Sequence, residues 1–495
     1  MSWLLDHHVW EHLHFLGPAL ALYVGAGVVM LADLVSGRRA PIWGLSLLTL
    51  LAGFAWATIH TNAGTTGEAV NGAIVVDRFS LFFAFLLIAA TAAVVIAGRE
   101  WVTTLERGAE FYALVLTSAA SMVLLAQAND LITIFVALET TSISQFILAA
   151  IVRTNRGAEA GVKYLFTGAI SAAVLLYGFA FLFGISGSTA LPDIAEFVVA
   201  GPEAQRLPLI LAFVLIAAGV GFKMAIVPFH AWVPDVYQGA PPLVGSFLSV
   251  VSKAAGFALV LRLFYTGLGG GETFIAQDWA VLFGVLAALS MIFGNTGAIL
   301  QTNVRRLLGY SSIAQAGNIA VGLAAVAAGS TLGPSAVLFF LVAYAVTNLG
   351  AFLAVSSLSE RLGSDEIRDY AGLVKRAPLV AAILSLCLLS LTGIPPTAGF
   401  IAKIYIFNSA IQAGQDWLVA LVAIAVVNTA ISAYYYLRWM RTMWLDDPAV
   451  DTLISVDIPS RGVLGAAAAG VLIVGLLPTP LISAARSAAE VLLRV

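Results

Sequence analysis

GFKMAIVPFHAWVPDVYQGAPPLVGSFLSVVSK, residues 221–253, carries two lysines and a proline break through otherwise apolar sequence. Apolar runs at 207–228 and 241–265 flank the break IVPFHAW (226–232), with Lys223 inside the first and Lys253 inside the second. Proline withdraws a backbone donor and frees a carbonyl, so a break of this kind is tolerated in a bilayer only where protein or water satisfies the exposed groups. A further run, 377–411, is interrupted in the same manner by GIPPTAGF (393–400) and carries Lys403. Paired breaks of this sort point to an ion path. The competing reading of either break is a kink that serves packing alone.

Working outward, the chain is 60% hydrophobic and 10% charged over 495 residues, against about 45–50% and about 25% in soluble proteins. That is the composition of a protein dissolved in a bilayer. A crossing needs about 20 apolar residues, and apolar runs fall near 16–35, 42–60, 79–98, 111–127, 131–152, 164–186, 207–228 and 241–265. They continue near 279–299, 308–328, 335–358, 377–411 (interrupted), 416–440 and 462–484. Fourteen α-helical spans are expected, with no large soluble domain. The runs are unbroken past the length of a barrel strand, which excludes a β-barrel. A net charge of −3 without a basic patch gives no sign of a nucleic-acid partner. One cysteine, Cys387, can neither close an internal disulfide nor hold an iron–sulfur cluster, and no Rossmann fingerprint or P-loop is present.

Basic residues in short loops mark the cytoplasmic side. Arg38 and Arg39 follow the first run, Arg99 and Arg107 the third, Arg153 and Arg156 the fifth, and Arg305 and Arg306 the ninth. Arg361, Arg368, Lys375 and Arg376 follow the eleventh. The alternate loops carry acids: Glu68 and Asp77, Asp193 and Glu196, Glu272 and Asp278, and Asp416. Both termini are therefore expected to face away from the cytoplasm, and the first run, preceded by Asp6, His7, His8, Glu11, His12 and His14, reads as a retained span and not as a cleaved signal. LETTSISQFILAA (138–150) resembles LGYSSIAQAGNIA (308–320), five runs apart. An odd separation puts the two copies in opposite orientations, the plan of an inverted repeat.

Glu139, Lys223, Lys253 and Lys403 lie inside apolar runs or beside the breaks. A charge at the centre of a membrane helix costs roughly 3 kcal/mol on insertion scales, so each needs a partner or a wet cavity. Burial favours neutral lysine and a neighbouring carboxylate favours the charged form, so a glutamate–lysine pair is switched by changing its separation. If Glu139 pairs with Lys223, drawing them apart would release a proton toward Lys253 and then Lys403. For any one lysine the alternative is a snorkelling side chain or a structural ion pair. His230, just after the first break, is suited either to carry protons or to cap the broken helix. Lys163 opens the sixth run, where the loop reading competes with an inward-facing relay group. His7, His8, His12 and His14 include a pair at i, i+4, but the surrounding ligand pattern favours an interfacial polar segment, and no metal site is expected.

The stretch 221–253 resembles the signature segment of the subunit N group of NADH-quinone oxidoreductases. NDLITIFVALE (129–139), KYLFTGAISAAVLLYG (163–178), RRLLGYSSIAQAG (305–317) and GIPPTAGFIAKIYIF (393–407) are similar to further pieces of that family. The resemblance spans about residues 77–445. It implies an all-α membrane-arm subunit of about fourteen helices, with two inverted five-helix repeats and two broken helices. Helices 1–3 would occupy 1–110, the repeats 111–270 and 271–445, and helix 14 residues 446–495. It implies proton translocation across the bacterial inner (plasma) membrane, coupled to quinone reduction elsewhere in the complex. NADH, FMN, the iron–sulfur clusters and quinone are then expected in partner subunits, and no cofactor in this chain.

Position by position, Glu139 and Lys223 match the family's input-half pair, Lys253 its central lysine and Lys403 its exit-half lysine. Lys163 matches the family lysine of helix six, which favours a relay role. Lys253 stands where the paralogous subunits L and M usually have histidine, and the chain end at Val495 leaves no room for the long lateral helix of subunit L. Subunits of multi-subunit Mrp-type sodium/proton antiporters are the alternative. One departure stands out: aligning Pro228 with Pro395 leaves Lys223 and Lys403 on opposite sides of the break.

Overall fold

Polar residues at the ends of the apolar runs set where helices begin. Asp130 accepts from the backbone of Ile132 and Thr133, Thr154 from Gly157, Asn303 from Arg305 and Arg306, and Asp457 from Ser460. Each satisfies donors that the first helical turn leaves unpaired. Ends at Gly64, Gly187 and Gly363 take the left-handed conformation, which residues with a Cβ adopt only under strain.

The computed structural model describes residues 13–36, 41–201, 203–270, 273–448, 450 and 452–493. The main helices are α1 (Gly17–Ser36), α2 (Ile42–Ala63), α3 (Arg78–Ala97), α4 (Gly108–Gln127), α5 (Leu131–Ala149) and α6 (Asn155–Ser186). Then come α7 (Arg206–Met224), α8 (Trp232–Gly239), α9 (Pro242–Gly267), α10 (Ala276–Ile299), α11 (Val304–Ala327) and α12 (Gly333–Leu362). The chain closes with α13 (Pro378–Thr392), α14 (Ala398–Gln412), α15 (Asp416–Leu445), α16 (Ile458–Leu476) and α17 (Thr479–Ala489). A two-stranded hairpin, β1 (Gly67–Ala69) with β2 (Ile74–Val76), sits in the connection from α2 to α3. The chain is an all-α multi-pass membrane protein. Among the described residues twelve helices are long and apolar enough to cross a bilayer. Together with the more polar α11 and the broken α13–α14, they account for the fourteen expected spans.

Helix α9 is enclosed on every side and α12 nearly so, whereas α1 and α2 are mostly exposed. The outer wall carries bare apolar side chains such as Leu31, Leu48, Ile170 and Val427, as a surface facing lipid or neighbouring membrane subunits must. Lipid tails are as apolar as leucine, so helices associate through close packing instead of hydrophobic expulsion. Gly294 and Gly317 bring α10 and α11 together: a Cβ on either would fall 2.5 Å from Ala314 N or 2.8 Å from Ala287 O.

Two boundaries differ from the sequence expectation. The sixth run begins at Asn155, so Lys163 stands about two turns inside α6. The last run is two helices, because Pro478 and Pro480 lack the donors needed to continue α16. Asp6, His7, His8, Glu11, His12, Arg38, Arg39 and Glu272 lie outside the described residues. His14 is described; its carbonyl lies 3.1 Å from His60 Nε2, and no metal-binding group occurs among the described residues.

Asp77, expected in an acidic loop, is buried. Its side chain caps α3 by accepting from Ser80 N, and it receives Arg262 at 2.7 and 3.0 Å. Arg262, near the acidic end of α9, also donates to the carbonyl of Ala126 and lies over the Phe79 ring. Three spans are thereby tied at one face. Breaking a buried ion pair by removing one partner costs about 3–5 kcal/mol, whereas replacing both costs far less. Asp77→Asn or Arg262→Met alone should therefore lower thermal stability in detergent by about that amount, and Asp77→Leu combined with Arg262→Met should recover most of it.

Candidate functional site

The first break begins at Ala225, whose left-handed backbone ends α7. Its N–H and that of Ile226 close on Phe222 O and Gly221 O, and the N–H of Val227 is taken by the Ser290 hydroxyl of α10 at 2.9 Å. Lys223 stands in the last turn of α7, where the unpaired carbonyl ends of a helix favour a cation. At the second break Gly393 ends α13 in the same left-handed region. Lys403, from α14, reaches back to donate to the carbonyls of Leu391 and Thr392 at 3.0 and 2.9 Å. Both lysines thus sit at the C-terminal end of the first half of their broken span. The sequence offset about Pro228 and Pro395 reflects different Cα positions for a shared placement of the ammonium at a helix end.

All three lysines are buried: Lys223 and Lys403 are 5% exposed and Lys253 is 1% exposed. The expected direct pairing of Glu139 with Lys223 is not what the fold builds, for no ion pair joins them among the described residues. Lys223 Nζ donates instead to Gln145 Oε1 at 3.0 Å. The reason is helical period: six positions along α5 turn Gln145 about 120° away from Glu139 and move it about 9 Å along the axis. Glu139 is half-buried, on a face shared with exposed Val136 and Ile143.

Gln145 Oε1 also accepts from Tyr164 OH of α6 and Ser252 Oγ of α9, each at 3.0 Å. The next residue after Ser252 is Lys253, which follows a π-helical turn at Leu248–Ser252, an irregularity frequent at functional sites. Lys253 Nζ donates to both the carbonyl and the hydroxyl of Ser312 on α11. That hydroxyl lies 2.8 Å from Tyr344 OH of α12. Tyr344, Thr347, Gln315, Ser390 and Lys403 line a cavity of about 10 Å³, about the room one water needs. Two polar segments result, Lys223–Gln145–Ser252 and Lys253–Ser312–Tyr344–cavity–Lys403, and they adjoin in sequence at residues 252 and 253 of α9.

Lys163 and His230 are not brought into either segment. Lys163 is partly exposed and pairs with Glu159 and Asp235, both at 2.6 Å, and Asp235 also holds Arg306. Lys163, Glu159 and Asp235 border a cavity of about 260 Å³ with Arg156 on the arginine-rich side. His230 bonds within its own break to the backbone of Pro228 and tilts toward Phe293, with ring centroids 6.4 Å apart. Gln145, Ser252, Ser312, Tyr344 and Gln315 are the members that charge alone does not single out. For Gln145, Ser312 and Gln315 the signal is serine and glutamine inside otherwise apolar runs, as in SISQ and SIAQ; Tyr344 carries none.

The family described as NADH:quinone oxidoreductase/Mrp antiporter matches residues 128–431, a range that holds both segments. Fold and site thus define a membrane subunit of the antiporter-like class. The NADH-quinone oxidoreductase subunit N of Dehalococcoides mccartyi is 39% identical over 484 residues, covering 96% of this chain and 99% of that one. A chain of respiratory complex I from Thermus thermophilus is 32% identical with a TM-score of 0.78, covering 94% of this chain and 98% of that one. The chain belongs to the NADH-quinone oxidoreductase subunit N family. A chain of the Mrp complex from Dietzia sp. has a TM-score of 0.86 at 21% identity, covering 97% and 98%, and shares the fold.

Gly399 sets the fit of the second break, since a Cβ there would meet Ser390 O at 1.8 Å. Gly399→Ala must push α14 away from α13 and draw Lys403 off its carbonyls. A loss of about 1–3 kcal/mol is expected, read as a lower thermal midpoint of the solubilised protein.

Proposed function

We propose that this chain is a proton-translocating membrane-arm subunit of an NADH-quinone oxidoreductase, moving protons through Glu139, Lys223, Lys253 and Lys403 as quinone is reduced elsewhere in the complex. The observation that carries the proposal is the set of three buried lysines in two polar segments, Lys223–Gln145–Ser252 and Lys253–Ser312–Tyr344 with a water-sized cavity to Lys403, which adjoin at residues 252 and 253. Protons pass along such segments when neighbouring groups exchange hydrogen bonds and a water bridges the gap. Glu139, half-buried on an open apolar face, acts on Lys223 through space, so movement of an adjacent subunit against that face would change the lysine's hold on its proton. Lys163 and Asp235 form the approach from the arginine-rich side, and His230 serves the break.

In this reading 111–270 and 271–445 are the two inverted repeats, with 1–110 and 446–495 flanking them. The arginine-rich loops face the cytoplasm of a bacterial cell and both termini the periplasm. NADH, FMN, iron–sulfur clusters and quinone belong to partner subunits. A sodium/proton antiporter subunit of the Mrp type shares the fold, but the identities of 39% and 21% favour the quinone-linked reading. Co-purification with NADH dehydrogenase activity separates the two.

Lys223→Ala in membranes holding the assembled complex should cut NADH-driven proton pumping by about a hundredfold, the usual scale for removing a proton-transfer group. Coupled quinone reduction should fall with it. Normal pumping in an assembled complex would make Lys223 a structural cation and defeat the relay.

A further inference from the structure

The two copies of the short repeat align Gln145 with Gln315, along with Ser142 and Ser312 and Ile143 and Ile313. Both glutamines are buried in the bundle, and each lies at the lysine of the broken span in its own half. Their amide orientations follow from their partners. An ammonium only donates, so Gln145 must turn its oxygen toward Lys223; a carbonyl only accepts, so Gln315 must turn its nitrogen toward Leu391. Gln145 Nε2 is occupied by Ser118 Oγ at 3.2 Å. Gln315 Nε2 donates to Leu391 O at 2.9 Å, while its oxygen accepts from Asn318 at 3.2 Å. Leu391 O is also an acceptor for Lys403 at 3.0 Å.

We propose that Gln145 and Gln315 are equivalent positioning residues of the two lysine sites, Gln145 holding the Lys223 ammonium directly and Gln315 holding the Leu391 carbonyl that Lys403 shares. This rests on the relay reading above and adds residues to it. A carboxamide does not titrate, so it keeps its geometry whichever protonation state the lysine takes. Around Lys223 the other facing groups are Glu139 of α5, Tyr164 of α6 and Ser252 of α9. Around Lys403 they are Tyr344 and Thr347 of α12 and Ser390 of α13, and among the described residues no carboxylate pairs with it. Each lysine therefore depends heavily on the few dipoles aimed at it or at its acceptors.

The two halves should respond in opposite senses. Gln145→Leu removes the acceptor of Lys223, so the ammonium gives up its proton at lower pH. Gln145→Glu, nearly isosteric, places a carboxylate there and holds the proton to higher pH. Gln315→Leu frees Leu391 O from a competing donor, leaving it to Lys403, which then holds its proton to higher pH. The measurement is the pH profile of NADH-driven pumping by the assembled complex in membrane vesicles, with Lys223→Ala alongside. The alkaline limb should move down by about one pH unit in Gln145→Leu, up in Gln145→Glu, and up by less in Gln315→Leu. If Gln145→Leu fails to assemble, Gln145→Glu carries the test. Unshifted profiles in variants that assemble, with pumping lost in Lys223→Ala, would overturn the positioning role and leave the relay standing. Pumping retained in Lys223→Ala would instead remove the relay on which this inference rests.

Discussion

Two interrupted helices in hydrocarbon leave backbone groups that the bilayer cannot satisfy, and the central architecture answers that requirement. Every freed donor or acceptor near the bilayer centre costs several kcal/mol unless something inside the protein meets it. At the first break the Ser290 hydroxyl takes the N–H of Val227, and at the second the ammonium of Lys403 takes two carbonyls. The lysines are therefore part of what makes the breaks tolerable, as well as the groups suited to carry charge. A buried cation and a helix C-terminus stabilise one another, since the unpaired carbonyls carry partial negative charge.

That mutual dependence places the lysines at corresponding ends of the broken spans although their sequence positions differ. Lys223 is within the last turn of α7, while Lys403 comes from the following helix and reaches back over the gap. Lys253 is held differently, by one serine of α11 through both carbonyl and hydroxyl, in the helix most completely enclosed by the others. Within each segment the lysines meet uncharged polar groups, which satisfy them without adding further charges to an environment that resists them. Farther out, the Asp77–Arg262 pair serves a different purpose: it joins α3, α4 and α9 at the acid-rich face and leaves the three lysines alone.

Much of the fold was legible in the chain because membrane insertion filters sequence so strongly. Each span must be an apolar run of nearly fixed length, each loop must sort its arginines, and each break must contain proline or glycine. Those constraints are local, so the fourteen spans, both breaks and all three lysines could be read directly. The resemblance of 221–253 to the subunit N group then led to the family that the comparisons show. Roles for Lys163 and His230 were harder to read, because an ionisable residue at a helix end looks the same whether it faces a loop cavity or the interior.

What the sequence alone determined was the identity of the charged residues and the positions of the breaks, which follow from composition and spacing within one span, and the family, which rested on the resemblance of 221–253 and its companion stretches. What only the tertiary structure decided was which groups meet. Glu139 and Lys223 look like partners by charge, yet the turn of α5 presents Gln145 to the lysine and leaves Glu139 on the open face. Lys403 and the carbonyls of Leu391 and Thr392 are separated by the very break that brings them together. Asp77, read as a loop acid, and Arg262 lie far apart in the chain until helix packing joins them. Hydrogen-bond partners depend on rotation about helix axes and on contacts between distant spans, and neither quantity is carried by the periodicity of a single run.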